Sequence, residues 1–237
     1  MLSTTDRVTT STDPEGSGPG HWVRNSKLAI ACIALFLIFW GAQSVTGWHV
    51  YDEDQTSHGE PTVGYLQYLT TGHFVEATFE NWESEFLQMG AFVLLTMFLV
   101  QKGSSESKQE SDDPHDEDPR AHRSDPHAPW PVRRGGLWLT LYQNSLLIAF
   151  CVLFLASLVG HALGGVREQN EELQAHGEPT VSTWNYVGSS QFWFESFQNW
   201  QSEFLAVGSI VVLTIVLRQK GSPESKPVHA PVDQTGG

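Results

Sequence analysis

Cysteine is nearly absent from the 237 residues: only Cys32 and Cys151 occur, both inside apolar runs, too few for a disulfide framework or a thiolate zinc site. Basic residues are also scarce, 13 Lys and Arg against 27 Asp and Glu. That balance excludes nucleic acid as a partner, because binding phosphates needs a surplus of positive charge. Signatures of hydrolysis and nucleotide use are missing: no G-x-S-x-G, no G-x-x-x-x-G-K-[ST] and no H-E-x-x-H. Only 17% of the chain is charged, yet the mean hydropathy is −0.22, and taken alone these averages describe an acidic soluble protein of one or two domains.

Local windows overturn the average. Leu28 to Trp40 (LAIACIALFLIFW) carries no polar side chain except an indole nitrogen, and the uncharged stretch continues to Trp48. About 20 such residues cross the roughly 30 Å hydrocarbon core as a helix. Leu146 to Leu163 reads the same way, interrupted only by Ser157 and His161; Phe86 to Val100 and Phe204 to Leu217 are shorter apolar runs. The first run begins behind a Ser/Thr/Gly/Pro tail and lacks an A-x-A cleavage site, so it reads as a retained helix rather than a secretory signal. Four spans are thus hidden by polar tails and a polar linker. The expected organisation is a disordered tail over 1–24, a first unit over 25–103 with spans at about 28–48 and 81–101, a disordered linker over 104–136, a second unit over 137–221 with spans at about 144–164 and 199–218, and a disordered tail over 222–237. His115, His122 and His127 in the linker belong to a solvated His/Asp tract, and no metal site is expected there.

Sliding the chain on itself exposes a duplication. Leu28 to Lys108 aligns without a gap on Leu146 to Lys226 at an offset of 118, with 35 of the 81 positions identical. The best-matched blocks are H-G-E-P-T-V (from His58 and His176), N-W-x-S-E-F-L (from Asn81 and Asn199) and Q-K-G-S-x-E-S-K (from Gln101 and Gln219). Each unit is span, acidic loop, span. An even number of spans per unit gives both copies one orientation, as parallel repeats about an axis along the membrane normal. The expected fold is all-α: an integral membrane four-helix bundle from two parallel two-span repeats, with short interfacial helices in the outer loops. Twelve of the 13 bases lie in the tails and linker, and only Arg167 lies between paired spans. Positive charge stays inside. The expectation is a multi-pass protein of the cytoplasmic membrane with both termini cytoplasmic. The outer loops and adjoining helix starts then hold 14 acids and one base.

Fifteen apolar residues reach only about 22 Å, so the second and fourth spans must borrow the N-W-x-S-E turns at their outer ends. Glu85 and Glu203 then lie just inside the hydrocarbon, where ionisable groups are costly unless they face a partner or cavity. At 100° per residue, Trp82, Glu85, Phe86, Val93 and Thr96 share one arc, as do Trp200, Glu203, Phe204, Val211 and Thr214. Glu76, Glu80 and Glu83 fall on other faces, have Phe194, Gln198 and Gln201 as counterparts, and read as solvated or interfacial. Gln43 and His161 are equivalent positions at a similar depth. The expected polar intramembrane cluster is therefore Glu85, Glu203, His161 and Gln43, with Asn81, Asn199, Thr96 and Thr214 on the same helices. It serves either to bond helices together or as a proton or cation pathway.

H-G-E-P-T-V reads first as turn and cap chemistry; His58 and His176 are conceivable ligands, although lone loop histidines more often are not. Val63, Leu66, Leu69, Tyr65 and Tyr68 give a short helix an apolar side suited to the outer membrane surface. Gly160 and Gly164 form a G-x-x-x-G that permits close helix contact.

The repeated blocks F-x-N-W-x-S-E-F-L and Q-K-G-S-x-E-S-K, with H-G-E-P upstream, resemble a family of bacterial multi-spanning membrane proteins known only as a domain of unknown function. The similarity runs from about Asn25 to Lys226. It implies a cytoplasmic-membrane protein with paired spans and brings no activity, cofactor or catalytic residue. The sequence is thus read as a structural or interaction component of the cell envelope rather than an enzyme. The alternative is a small proton or cation transporter. Expected partners are the lipid bilayer, other membrane proteins or a second copy, and cations at the acidic outer face; no metal or cofactor is expected.

Overall fold

The computed structural model describes residues 23, 25–109 and 113–236. Nearly all of the expected tail over 1–24 lies outside the described residues. Among the described residues the fold is all-helical. The elements are α1 (Lys27–Ser57), α2 (Tyr65–Tyr68), α3 (Gly72–Phe98), two 3-10 turns (Pro114–Asp116 and Pro119–His122), α4 (Trp130–Arg134), α5 (Gly136–Gln143), α6 (Ser145–Ala175), α7 (Thr183–Val187) and α8 (Ser190–Val216). The helices α1 and α3 begin and end 118 residues before α6 and α8, and α2 begins 118 before α7.

Helix ends follow from local chemistry. Beyond the apolar run, α1 and α6 continue through Asp, Glu and Gln residues that keep hydrogen-bonded helix outside hydrocarbon, so each has 31 residues rather than the expected 20 or so. H-G-E-P then stops both in the same way. Gly59 and Gly177 adopt positive φ of 77° and 70°. The Glu60 and Glu178 amides reach back to the carbonyls of Gln55 and Leu173, and the Gly59 and Gly177 amides to Thr56 and Gln174, a Schellman closure that a side chain at the left-handed position would strain. Thr71 and Ser189 cap α3 and α8 by accepting from the Phe74 and Phe192 amides, both at 3.3 Å. Those caps start α3 and α8 well before the expected positions, at Gly72 and Ser190.

Among the described residues three helices, α1, α6 and α8, are long and apolar enough to cross a membrane. Only 6% of the apolar window of α1 is buried by the rest of the chain. Such uncovered apolar surface suits a membrane protein. The fourth expected span, α3, is not in that set, because Glu76, Glu80, Glu83 and Glu85 occupy its N-terminal half.

Two small aromatic cores form where α2 and α7 meet the long helices. Tyr51, Tyr68 and Phe74 pack with Trp40, Trp48, Val63 and Leu69; Ala162, Val166, Tyr186 and Phe192 pack with Leu158, Val181 and Val187. Tyr68 and Tyr186 are each 1% exposed, so α2 and α7 turn their tyrosines into the fold, while Leu66 and Trp184 point outward. Both rings lie over a glycine, Gly47 under Tyr68 and Gly165 under Tyr186, where any Cβ would strike the phenol. Between the long helices the most extensive packing is α3 on α6, followed by α3 on α8. Gly72 and Gly164 allow this approach: a Cβ on either would collide with backbone of the facing helix.

The linker and C-terminal tail, expected to be disordered, hold local structure in their described parts. In both Q-K-G-S-x-E-S-K blocks the second serine accepts from the opening glutamine amide at 2.9 Å, Ser107 from Gln101 and Ser225 from Gln219. Lys226 is buried, donating to the carbonyls of Gly103 (2.5 Å), Val232 (2.8 Å) and Gln234 (2.9 Å). Asp113 accepts from the His115 and Gln109 amides, which lower its pKa to about 2. Side-chain-to-backbone bonds, not an apolar core, organise these segments.

Candidate functional site

Residues Glu76, Glu80 and Glu83 lie at i, i+4 and i+7, on one stripe of α3. That stripe faces α6 and α8, contrary to the expectation that these acids are solvated. Glu83 and His161 are both 0% exposed. Glu83 Oε2 lies 2.8 Å from His161 Nδ1, and its Oε1 accepts from Trp200 Nε1 at 3.0 Å. The other imidazole nitrogen, Nε2, is 3.3 Å from Glu195 Oε2. Phe192 stacks on the imidazole with ring centroids 4.7 Å apart. The Tyr186 hydroxyl, carried in by α7, sits 2.6 Å from Glu195 Oε2 and 3.1 Å from Glu76 Oε1. Asn199 donates to Glu80 at 2.5 Å, and Gln191 to Glu195 at 2.6 Å. Burial and the adjoining Glu195 and Glu76 push the Tyr186 phenol far above the usual tyrosine range, so it stays protonated and acts as a donor.

Charge decides what this arrangement can do. A carboxylate faces each nitrogen of His161, which suits an imidazolium donating from both. Even so, Glu76, Glu80, Glu83 and Glu195 outnumber that single cation, and among the described residues no Lys or Arg pairs with them. Uncompensated buried charge is costly, and either protonation of a carboxylate or a bound cation would lower that cost. Glu76, His161 and Glu195 each offer one ligand atom, all within 4.8 Å of one another. A metal there would require His161 to surrender a proton and one carboxylate bond.

A further acid adjoins the cluster. Glu168 of α6 interacts electrostatically with Glu76 and keeps its Oε2 buried with no hydrogen-bond partner among the described residues. It also lines a cavity of about 260 Å³ at the C-terminal ends of α1 and α6, together with Asp54, His58, Glu171, Glu172 and His176.

Of the residues singled out from sequence, His161 and Asn199 belong to this cluster. Glu85 is exposed on α3, and Glu203, half-buried on α8, feels its charge. Gln43 takes no part in the cluster's hydrogen bonds. Asn81 is exposed and donates to the Ala77 carbonyl of its own helix. Thr96 bonds back to Phe92 and Val93, and buried Thr214 shares a 3.0 Å bond with Ser104. Sequence reasoning missed Glu76, Glu83, Glu195 and Tyr186. The heptad-like spacing of the acids in α3 was the available signal, set aside because copy two does not repeat it.

A family model covers residues 20–237. The chain belongs to the DUF6766 family, a domain of unknown function. No curated protein and no solved structure matches it. In this DUF6766 chain the buried cluster is therefore read from its own chemistry.

Proposed function

We propose that this DUF6766 protein is a four-span integral protein of the cytoplasmic membrane, with both termini cytoplasmic, whose buried Glu–His–Tyr cluster binds protons and relays them from the acidic outer vestibule. The observation that carries this reading is at Tyr186. One hydroxyl proton stands between two carboxylate oxygens, at 2.6 and 3.1 Å, so full satisfaction of the group puts a second proton on Glu76 or Glu195. From Glu76 inward, Tyr186, Glu195, His161 and Glu83 then alternate donor and acceptor, and Glu168 at the vestibule is coupled to Glu76 by charge alone. Four spans are supported by the way α3 turns Glu76, Glu80 and Glu83 toward α6 and α8, leaving its C-terminal half apolar. Orientation is supported by the twelve bases in tails and linker. The duplicated sequence and the 118-residue offset of the helix bounds support two parallel repeats.

The transporter alternative read from sequence thus moves from Glu85 and Glu203 to Glu76, Glu83, Glu195 and His161. A structural or interaction role is the second reading, favoured because the same bonds tie α3, α6, α7 and α8 together. Neither role is enzymatic, and both have the bilayer as partner.

Proton flux into proteoliposomes, followed with an entrapped pH dye under an imposed gradient, separates them. Wild type is expected to exceed empty vesicles; Glu83→Gln and Glu195→Gln fall at least tenfold, and the Glu85→Gln/Glu203→Gln double variant does not change. Wild-type flux equal to that of empty vesicles, or unaltered flux in Glu83→Gln, would overturn the relay and leave the structural role.

A further inference from the structure

The repeated H-G-E-P block does more than end two helices. It brings His58 and His176, 118 residues apart, to the same cavity mouth, with ring centroids 5.9 Å apart and planes at 71°. Both rings are held alike: His58 Nδ1 lies 3.0 Å from the Asp54 carbonyl, and His176 Nδ1 lies 2.9 Å from the Glu172 carbonyl. A carbonyl oxygen only accepts, so the proton must sit on Nδ1 in each. The neutral ring then carries its lone pair on Nε2. This Nδ1–H to carbonyl bond is the support that metal-ligating imidazoles commonly have.

We infer that His58 and His176 form the nitrogen half of a divalent transition-metal site, of the zinc class, at the outer mouth of the bundle. An ion about 2.0–2.1 Å from each Nε2 stands about 3.2 Å from each ring centroid, so a 5.9 Å centroid separation is within the reach of one ion once both Nε2 atoms turn toward it. Asp54, Glu171 and Glu172 line the same cavity; among the described residues their oxygens do not close to ligand distance with both imidazoles, so a side-chain rotation or water fills the remaining positions. Two imidazoles select a borderline metal over calcium or magnesium, which take oxygen ligands. His161 is the poorer ligand in the resting fold because a carboxylate already occupies each of its nitrogens. The ion joins the ends of α1 and α6, one residue from each copy of the repeat, and it does so whether or not the interior relays protons.

The test is metal titration of the full chain in detergent, with Zn²⁺ by calorimetry and Co²⁺ by its visible absorption. One ion per chain and Co²⁺ bands of low-coordinate nitrogen and oxygen ligation are expected. His58→Ala and His176→Ala each weaken binding at least tenfold, and the linker variant His115→Ala does not. Both rings are on the surface, so folding survives; a thermal shift on adding Zn²⁺, present in wild type and lost in His58→Gln, gives a second reading. Unchanged affinity in the double His58→Ala/His176→Ala variant overturns the site. So does binding that persists there and vanishes in Glu195→Gln, which would place the ion in the interior cluster. The flux assay plays no part in this test, so failure of either idea leaves the other standing.

Discussion

Two interfaces occupy places related by the 118-residue offset of the helix bounds, and they differ in kind. Where α3 meets α6, glycines at 72, 160 and 164 bring the backbones together, and Glu76, Glu80 and Glu83 face His161. The counterpart pair, α8 and α1, has Ser190, Ala42 and Thr46 in place of those glycines and Phe194, Gln198, Gln201 and Gln43 in place of the charges. Its packing is far slighter. Gly90 lies against Phe150, whereas its counterpart Gly208 meets nothing within 4 Å. Glycines and concentrated charge make one interface a tight polar seam, and the other has neither. In hydrocarbon, where burial of apolar surface drives little association, close backbone approach and buried hydrogen bonds are what remain to hold helices.

The largest effect expected from this comparison is at its charged centre. Glu83→Ala leaves the His161 and Trp200 donors without their buried acceptor and should cost about 3–5 kcal/mol, the usual range for breaking a buried pair. Gln201→Ala, at the equivalent exposed position, should change stability by no more than about 0.5 kcal/mol. Denaturation in detergent measures both, and equal losses would mean that the two interfaces are not different in kind.

Next comes the glycine contact. A side chain at Gly164 collides with the backbone at Glu76, so Gly164→Val should cost about 3 kcal/mol and pull Glu76 from Tyr186. Thr46→Val sits exposed at the matching place on α1 and should be nearly neutral. If Gly164→Val melts with wild type, the seam is not held by backbone proximity.

The apolar helices α1, α6 and α8 and the glycine motif at Gly160 and Gly164 were legible in the sequence, because each is a pattern along one helix. His161 was legible for the same reason: a lone ionisable group in an apolar run has to find a partner. The partner was not. Helical-wheel geometry on α3 alone gave no reason to prefer the Glu76 stripe over the Glu85 arc, since both are acidic and the choice is made by which neighbour α3 packs against. Treating the two copies as equivalent favoured the repeated acids, Glu85 and Glu203, whereas the buried site uses residues that differ between copies: Glu83 against Gln201, His161 against Gln43, Glu195 against Ala77. The order in the linker and tail was hidden for another reason. It rests on serine, aspartate and lysine bonds to backbone, which leave no hydropathy signal.

The two tyrosines sharpen the comparison on the smallest scale, because here the copies kept the residue and changed only its surroundings. Both rings are buried over a glycine, so their apolar contribution is matched and a Phe substitution removes the hydroxyl alone. Tyr68 meets neutral His73 chemistry, with its oxygen 3.0 Å from Nδ1, and burial raises its pKa to about 12. Tyr186 donates toward Glu195 and Glu76. Hydrogen bonds to charged groups are worth about 1.5–3 kcal/mol and neutral ones about 0.5–1.5. Tyr186→Phe should therefore destabilise by about 2 kcal/mol and Tyr68→Phe by about 1 kcal/mol, read from paired unfolding curves in one detergent. The difference matters more than either value: if the two losses coincide, Glu76 and Glu195 both lack the charge assigned to them and the Tyr186 hydroxyl serves only as a local bond. A larger loss at Tyr186 puts ionised carboxylate in the seam, where the proposed proton relay and the stability of the fold would rest on the same residues.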